Sequence, residues 1–350
     1  MGRSSENMTR DRKELNLEEM FQEGNSNDSF SKIIGKARRK TIIRNIIVSA
    51  LVLFFLIIVF GFSWLSIMRW SEANAINDIQ LFSEITDPNI QEAGPQQVGN
   101  GFFQSILTFD RYKELEGIPV DWSSEVVTYS LFGGVSGFAG DYSPIQIEKA
   151  GGGVKSFDRE TKQRLLEFYH PEVEYKEVAN EISQLADFPE QTVAELSLSL
   201  DKNYSVEEIR QMIPERVTLK WFWVDTYSAD DIDRIDNRRA VSDEELYIID
   251  PTPELATQVY GFDEFSEHPE LSVKGFIEDI NMGLSNEKGK YFGEYERIAG
   301  NLKGGSKSLT EDNVKVIGAV VTGDVADLAV LEDQEAIRAS AIGATASLYN

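Results

Sequence analysis

Few side chains in this 350-residue chain are of types that could carry chemistry. It has no cysteine, which removes thiol nucleophiles, disulfides and thiolate metal sites. Its two histidines, His170 and His268, each precede a proline, a setting of turns and helix ends, and both are expected in exposed loops. Gly134-Val135-Ser136-Gly137 begins like a strand–serine–helix elbow, but that turn needs glycine at 138, where Phe138 stands. Asp230, Asp231, Asp233 and Asp236 are the densest carboxylates. A calcium loop opened at Asp231 needs glycine at its sixth position and glutamate at its twelfth; Asp236 and Ser242 occupy them, so a solvated acidic loop is expected. Trp221 and Trp223 could form a ligand platform, but their alternation on a strand reads as core. The expectation is a protein with no catalytic constellation, no metal and no cofactor: not an enzyme.

What positions these residues is set by Ile46–Met68, 23 residues without a charge. As a helix rising about 1.5 Å per residue, this run is long enough to cross a hydrocarbon core of about 30 Å. It separates unlike parts. Residues 1–45 carry ten Lys/Arg against seven Asp/Glu, whereas residues 69–350 carry 24 against 52, a net charge of −28. So acidic a surface argues against nucleic acid or anionic lipid as the partner of the large part. Lys36, Arg38, Arg39, Lys40 and Arg44 precede the run, and only Arg69 and then Glu72 closely follow it. Basic residues hold the cytoplasmic side, so the N-terminus is expected inside and the large part outside the cell membrane, with Trp64 and Trp70 at the outer interface. Ala73-Asn74-Ala75 matches a signal-peptidase pattern, but 45 preceding residues and a 23-residue run are too long for a cleaved signal, and an uncleaved anchor is expected.

In the tail, Leu15, Leu17, Met20 and Phe21 form one apolar patch. After the polar break 23–29, Phe30, Ile33, Ile34 and Ala37 recur at i, i+3, i+4 and i+7, one face of a helix. Forty-five residues so poor in apolar side chains cannot close a core. Two readings stay open: docking into a cytoplasmic partner with folding on binding, or lying in the lipid interface with the basic face on anionic headgroups.

Beyond the membrane run, residues 71–100 read as a short helix and a loop, followed by strands over 102–109 and 126–132 and a glycine hinge at 151–153. Helical spacing over Arg159–Tyr169 and Lys176–Ala186 predicts two helices. Ala194–Leu200 alternates as a half-buried strand with Leu196, Leu198 and Leu200 on one face; Ser205 and Glu208 make a capping box for a helix to Ile213; Val217–Val224 alternates again. The order recurs at 314–347, and helical patterns lie near Val273–Met282 and Lys288–Leu302. Two strand–helix–strand units suggest a ferredoxin-like split βαβ sandwich. The expected class is a single-pass membrane protein: a short helical or disordered cytoplasmic tail (1–45), one transmembrane helix (46–68), a juxtamembrane extracytoplasmic segment with strands (69–152) and an α+β extracytoplasmic sensor domain (153–350).

The segment KARRKTIIRN (36–45), leading straight into the apolar run, resembles the N-terminal signature of the sigma-factor-regulator family, membrane-anchored anti-sigma factors of Firmicutes of the type that restrains the extracytoplasmic-function sigma factor M. AELSLSLDKNYSVEEI (194–209), WFWVDTY (221–227), VIGAVVTG (316–323) and IRASAIG (337–343) resemble the family's second conserved region. The resemblance implies an inner tail that holds an extracytoplasmic-function sigma factor away from RNA polymerase, with Leu15, Leu17, Met20, Phe21, Phe30, Ile33 and Ile34 as candidate contacts and no direct contact with nucleic acid. It implies an outer domain, marked by Trp221, Trp223, Gly323 and Gly343, that senses the envelope and releases the sigma factor through a second membrane protein or by proteolysis. The sequence equally permits an envelope scaffold or assembly protein whose acidic outer domain binds another envelope protein.

Overall fold

The computed structural model describes residues 26–139, 143–148, 154–237, 239–242, 245–248 and 250–347. Its elements in chain order are helix α1 (Ser26–Ser83), strands β1 (Gln91–Asn100), β2 (Gln104–Leu115), β3 (Ile118–Ser130), β4 (Val135–Ala139), β5 (Ile145–Glu148), β6 (Val154–Phe157), β7 (Glu167–Phe168) and β8 (Thr192–Tyr204), helix α2 (Val206–Met212), β9 (Thr218–Val224), α3 (Ala229–Asp236), β10 (Arg239–Ser242), β11 (Glu245–Ile248), β12 (Glu254–Leu255), β13 (Gly261–Asp263), α4 (Pro269–Ser285), α5 (Phe292–Lys303), β14 (Val316–Asp324), α6 (Val325–Leu328) and β15 (Ile337–Ser347). The chain divides into two compact units, Met1–Ser66 and Ile67–Asn350.

In the first unit, Leu51, Phe54, Phe55, Ile57 and Phe62 of α1 are all exposed although they point to different sides of the helix. A helix that is apolar all round and uncovered by protein is built for lipid. Thr41 and Ser66 turn their hydroxyls back onto the carbonyls of Ala37 (3.0 Å) and Phe62 (2.8 Å), so neither is left without a partner. This is the one helix among the described residues long and apolar enough to cross a membrane.

The second unit starts with the last turns of α1, and here the pattern changes. Met68, Ser71, Ala75 and Ile79 are buried while Arg69 and Trp70 stay exposed, an amphipathic stripe at helical spacing. Beyond Ser83 the chain reverses through Asp87 and Asn89, both at positive φ (53° and 54°), and enters an antiparallel sheet of order β1-β2-β3-β4. The β2–β3 hairpin closes at Glu116 and Gly117, with φ of 50° and 82°; two consecutive positive φ angles match the right-handed twist of the paired strands.

The second sheet has the order β13-β9-β14-β8-β15, all neighbours antiparallel. β14 thus runs between β8 and β9, and β8 between β14 and β15. Leu196, Leu198 and Leu200 share one face, as expected, and pack with Phe222, Val224, Ala319 and Val321 beneath α2, α4, α5 and α6. The other face is buried too: Trp221, Trp223 and Val320 pack on Leu166, Phe168 and Val259. Residues 192–200 of β8 are therefore buried on both faces rather than half-buried, because β7 and its flanks lie across the side taken as solvated. Ser197 donates to the carbonyl of Glu167 (2.7 Å), and the amide of Tyr169 donates to Ser199 (2.9 Å).

The capping box forms as expected, with Ser205 Oγ accepting from the amide of Glu208 and the Glu208 carboxylate accepting from the amide of Ser205. Such a cap stabilises a helix of this length by about 1 kcal/mol. The helices near 273–282 and 288–302 also form, as α4 and α5. Four further expectations are overturned. Residues 91–100 are not a loop but β1, held by pairing with β2 across two register shifts. Arg159–Tyr169 is not a helix: it turns and then forms β7, paired with β12, and of Lys176–Ala186 only the 3₁₀ segment Ile182–Asp187 is helical. The acidic run 230–236 is helix α3, capped by Ser228 and Asp231, rather than a loop. The glycine hinge 151–153 lies outside the described residues.

Candidate functional site

In the first unit, α1 carries Ile33 (65% exposed) and Ile34 (55% exposed), one turn before the exposed Lys36, Arg38, Arg39, Lys40 and Arg44. Two adjacent isoleucines beside five exposed cations give this stretch of α1 a small apolar surface flanked by positive charge. Phe30 lies in the same helix, while Leu15, Leu17, Met20 and Phe21 fall outside the described residues.

In the second unit the residues singled out from sequence are in the core. Trp221 and Trp223 are 1% and 0% exposed. Gly343 is glycine for lack of room: a Cβ there would stand 2.5 Å from Glu195 Oε2 and 2.6 Å from Leu166 Cδ2. At Gly323 a Cβ would meet Leu328 at 3.4 Å, an ordinary contact, so space does not require glycine.

Glu195, which Gly343 covers, is the centre of a polar cluster that sequence reasoning missed. Lys113 of β2 donates to both its carboxylate oxygens, at 2.9 and 2.8 Å, and both side chains are fully buried. Asn89 Nδ2 donates to Oε1 (2.9 Å), the amide of Ala344 to Oε2 (3.3 Å), and the Lys113 ammonium sits 4.3 Å from the centre of the Trp122 ring. A buried pair survives when its remaining lone pairs and protons are satisfied in this way. The pair ties the four-stranded sheet to the five-stranded one. A usable signal existed: the period-2 burial of β2 puts Arg111 and Lys113 on the same phase as Leu107, Phe109 and Leu115.

The second missed group surrounds His170, which is buried (1% exposed), not a surface loop residue. Its Nδ1 accepts from the amide of Glu172 (3.2 Å), so the neutral ring carries its proton on Nε2, which faces Asp225 Oδ1 at 3.7 Å. The ring meets Tyr227 edge-on at 4.7 Å, and Tyr227 donates to Glu254. Arg338, in the IRASAIG segment, donates to the carbonyls of His170, Pro171 and Val173 and so fixes the histidine–proline turn. His268 is exposed and opens α4, as expected. Among the described residues no group of His, Asp and Glu could hold a metal ion.

Burial pushes the Glu254 carboxyl up to about 7, against the Tyr227 hydrogen bond and the His170 and Arg297 charges. Burial, with the Glu84 charge, does the same to Asp263 and Asp279, each to about 7. In the unfolded chain these groups ionise near 4, so between about pH 4 and 7 the folded state binds the extra protons and loses stability as pH rises. In the opposite sense, burial of Glu181 is outweighed by the hydrogen bond and charge of Arg164, and that of Asp225 by the facing His170 and the Asn203 hydrogen bond; these hold both carboxyls low, and that stability is lost below about pH 4. Residues 67–350 should therefore melt about 5 °C higher at pH 5.5 than at pH 8. Calorimetry across that range checks it, and Glu254→Gln should flatten the slope.

Two family models match the chain. One described as Sigma factor regulator N-terminal covers residues 31–120, and one described as Sigma factor regulator C-terminal covers residues 185–344. Lys113 falls in the first match and Glu195 in the second. No curated protein and no solved structure matches.

Proposed function

Because the chain belongs to the sigma factor regulator family, a regulatory family, we propose that it is a membrane-anchored anti-sigma factor whose residues 1–45 hold an extracytoplasmic-function sigma factor on the cytoplasmic side. Residues 46–68 cross the membrane, and the second unit faces outward and governs release under envelope stress. The observation that carries this reading is the uncovered Ile33–Ile34 pair beside five cations on the helix that continues into the apolar run. The cations support an inward N-terminus. The strand order β9-β14-β8-β15, with each strand–helix–strand unit interleaved with the other, supports reading the five-stranded sheet as a ferredoxin-like sandwich with β13 added at one edge.

Purifying the full chain from membranes in detergent tests the proposal. An extracytoplasmic-function sigma factor should accompany it and be lost when residues 1–45 are removed. If none accompanies the full chain, and removing the protein leaves sigma-dependent transcription unchanged, the proposal falls.

A further inference from the structure

Among the described residues of the second unit, the four most exposed large apolar side chains, Phe132, Phe103, Trp70 and Val98, lie at or beside the tips of the β1–β2 and β3–β4 hairpins. Phe102 is 52% exposed, Phe103 61%, Phe132 87% and Val98 60%, and Trp70 of α1 is 61% exposed beside them, its ring 4.0 Å from where a Cβ of Gly133 would stand. We propose that these tips are a membrane-docking surface, inserting Phe102, Phe103 and Phe132 into the headgroup–hydrocarbon boundary of the bilayer that holds the apolar helix; this rests on reading residues 46–68 as membrane-spanning.

Depth is the first argument. Trp70 follows Met68, the last residue of the apolar run, by two positions, a rise of about 3 Å, which puts its ring at the boundary that tryptophan prefers. The hairpins are tied to that level. Ser71 Oγ donates to the carbonyl of Ser130 at 2.6 Å, and the amide of Leu131 donates to the carbonyl of Phe103 at 2.8 Å, so one tip is fixed to the helix and the other tip to the first.

Charge is the second. Residues 93–109 and 126–140 contain no Asp, Glu, Lys or Arg, and they are the two longest charge-free stretches outside the apolar run. In a part of the chain carrying a net charge of −28, these hairpins form the end that an anionic bilayer does not repel. Backbone is the third. Turns that enter an interface must close their own hydrogen bonds, and these do: the amide of Gly101 donates to the Gln104 carbonyl (2.8 Å) and that of Gly133 to the Ser130 carbonyl (3.0 Å). A groove of about 720 Å³ lined by Phe102, Phe103, Ile106 and Phe132 lies open beside the rings, with room for an acyl chain.

With no native cysteine, single cysteines can be labelled cleanly in the full chain. An environment-sensitive fluorophore at Phe103→Cys or Phe132→Cys, in phosphatidylcholine vesicles, should be quenched about threefold more by spin-labelled lipid than one at Lys307→Cys, and about threefold less by aqueous iodide. Iodide quenching equal to that at Lys307→Cys would show the tips in water, and shielding from both quenchers would show them covered by protein; either overturns the proposal. Phe54→Cys separates the two readings. Lipid quenching there with water-exposed tips leaves the membrane span standing and removes only the docking, whereas its absence removes the span itself.

Discussion

Replacing Lys113 by methionine should destabilise the unit formed by residues 67–350 by about 3–5 kcal/mol. Methionine nearly conserves volume, so the loss does not come from a cavity. It comes from Glu195, which keeps Asn89 and the Ala344 amide as donors but loses the cation that lies on both its oxygens, in a place no water reaches. A carboxylate so placed either stays charged at high cost or takes up a proton, and both choices draw on folding free energy. Glu195→Gln added to Lys113→Met should recover at least half of the loss, because a neutral amide still accepts one of the two hydrogen bonds. Urea unfolding of the wild type, both single variants and the double variant measures the coupling. Additive single effects would show that Lys113 and Glu195 do not stabilise each other.

Ile33→Asp combined with Ile34→Asp should weaken sigma-factor binding by about two orders of magnitude. Covering an isoleucine contributes about 1.5–3 kcal/mol, so losing two removes about 3 kcal/mol or more, a hundredfold or greater change in Kd. Both side chains are more than half exposed and belong to the first unit, so the melting temperature of residues 67–350 should not move. Titrating the full-length protein in detergent with the purified sigma factor reads the difference. Binding unchanged in the double variant would leave the earlier patch, Leu15–Phe21, as the contact. Lys36→Gln with Arg39→Gln should instead flatten the salt dependence of binding, because exposed cations act over distances that salt screens.

How much could be read from the sequence depended on whether a segment's pattern was decided locally. The apolar run, the Ser205–Glu208 cap and the leucine face of β8 were legible because each is fixed by neighbours within a few residues. Arg159–Tyr169 misled: Leu165, Phe168 and Tyr169 stand at i, i+3 and i+4, yet pairing of Glu167–Phe168 with Glu254–Leu255, almost ninety positions away, overrides that preference. β1 was hidden for a similar reason. QEAGPQQVGN looks like a loop and becomes a strand through β2, with register shifts at Ala93–Gly94 and at Val98. Of the polar cores only the alternation that puts Lys113 in phase with Leu107, Phe109 and Leu115 was legible; the burial of its partner Glu195 is a property of the assembled fold. Glu195 looked like the wet side of an alternating strand, and only the arrival of Lys113, Asn89 and residues 165–169 makes it dry.

The placement of β8 also has a consequence in time. Both its partners, β14 and β15, begin more than a hundred residues after it ends. At an elongation rate of about 5–20 residues per second, β8 waits on the order of ten seconds before either neighbour exists. During that interval residues 1–45 have long been made, and the second unit has no central strand pairing to fold around. In the function proposed above, restraint of a partner by residues 1–45 would begin on a nascent chain, before the unit proposed to govern its release has a structure. A chain cut between Tyr204 and Val316 would remain in that early condition, with residues 1–45 complete and β8 unpaired on both edges.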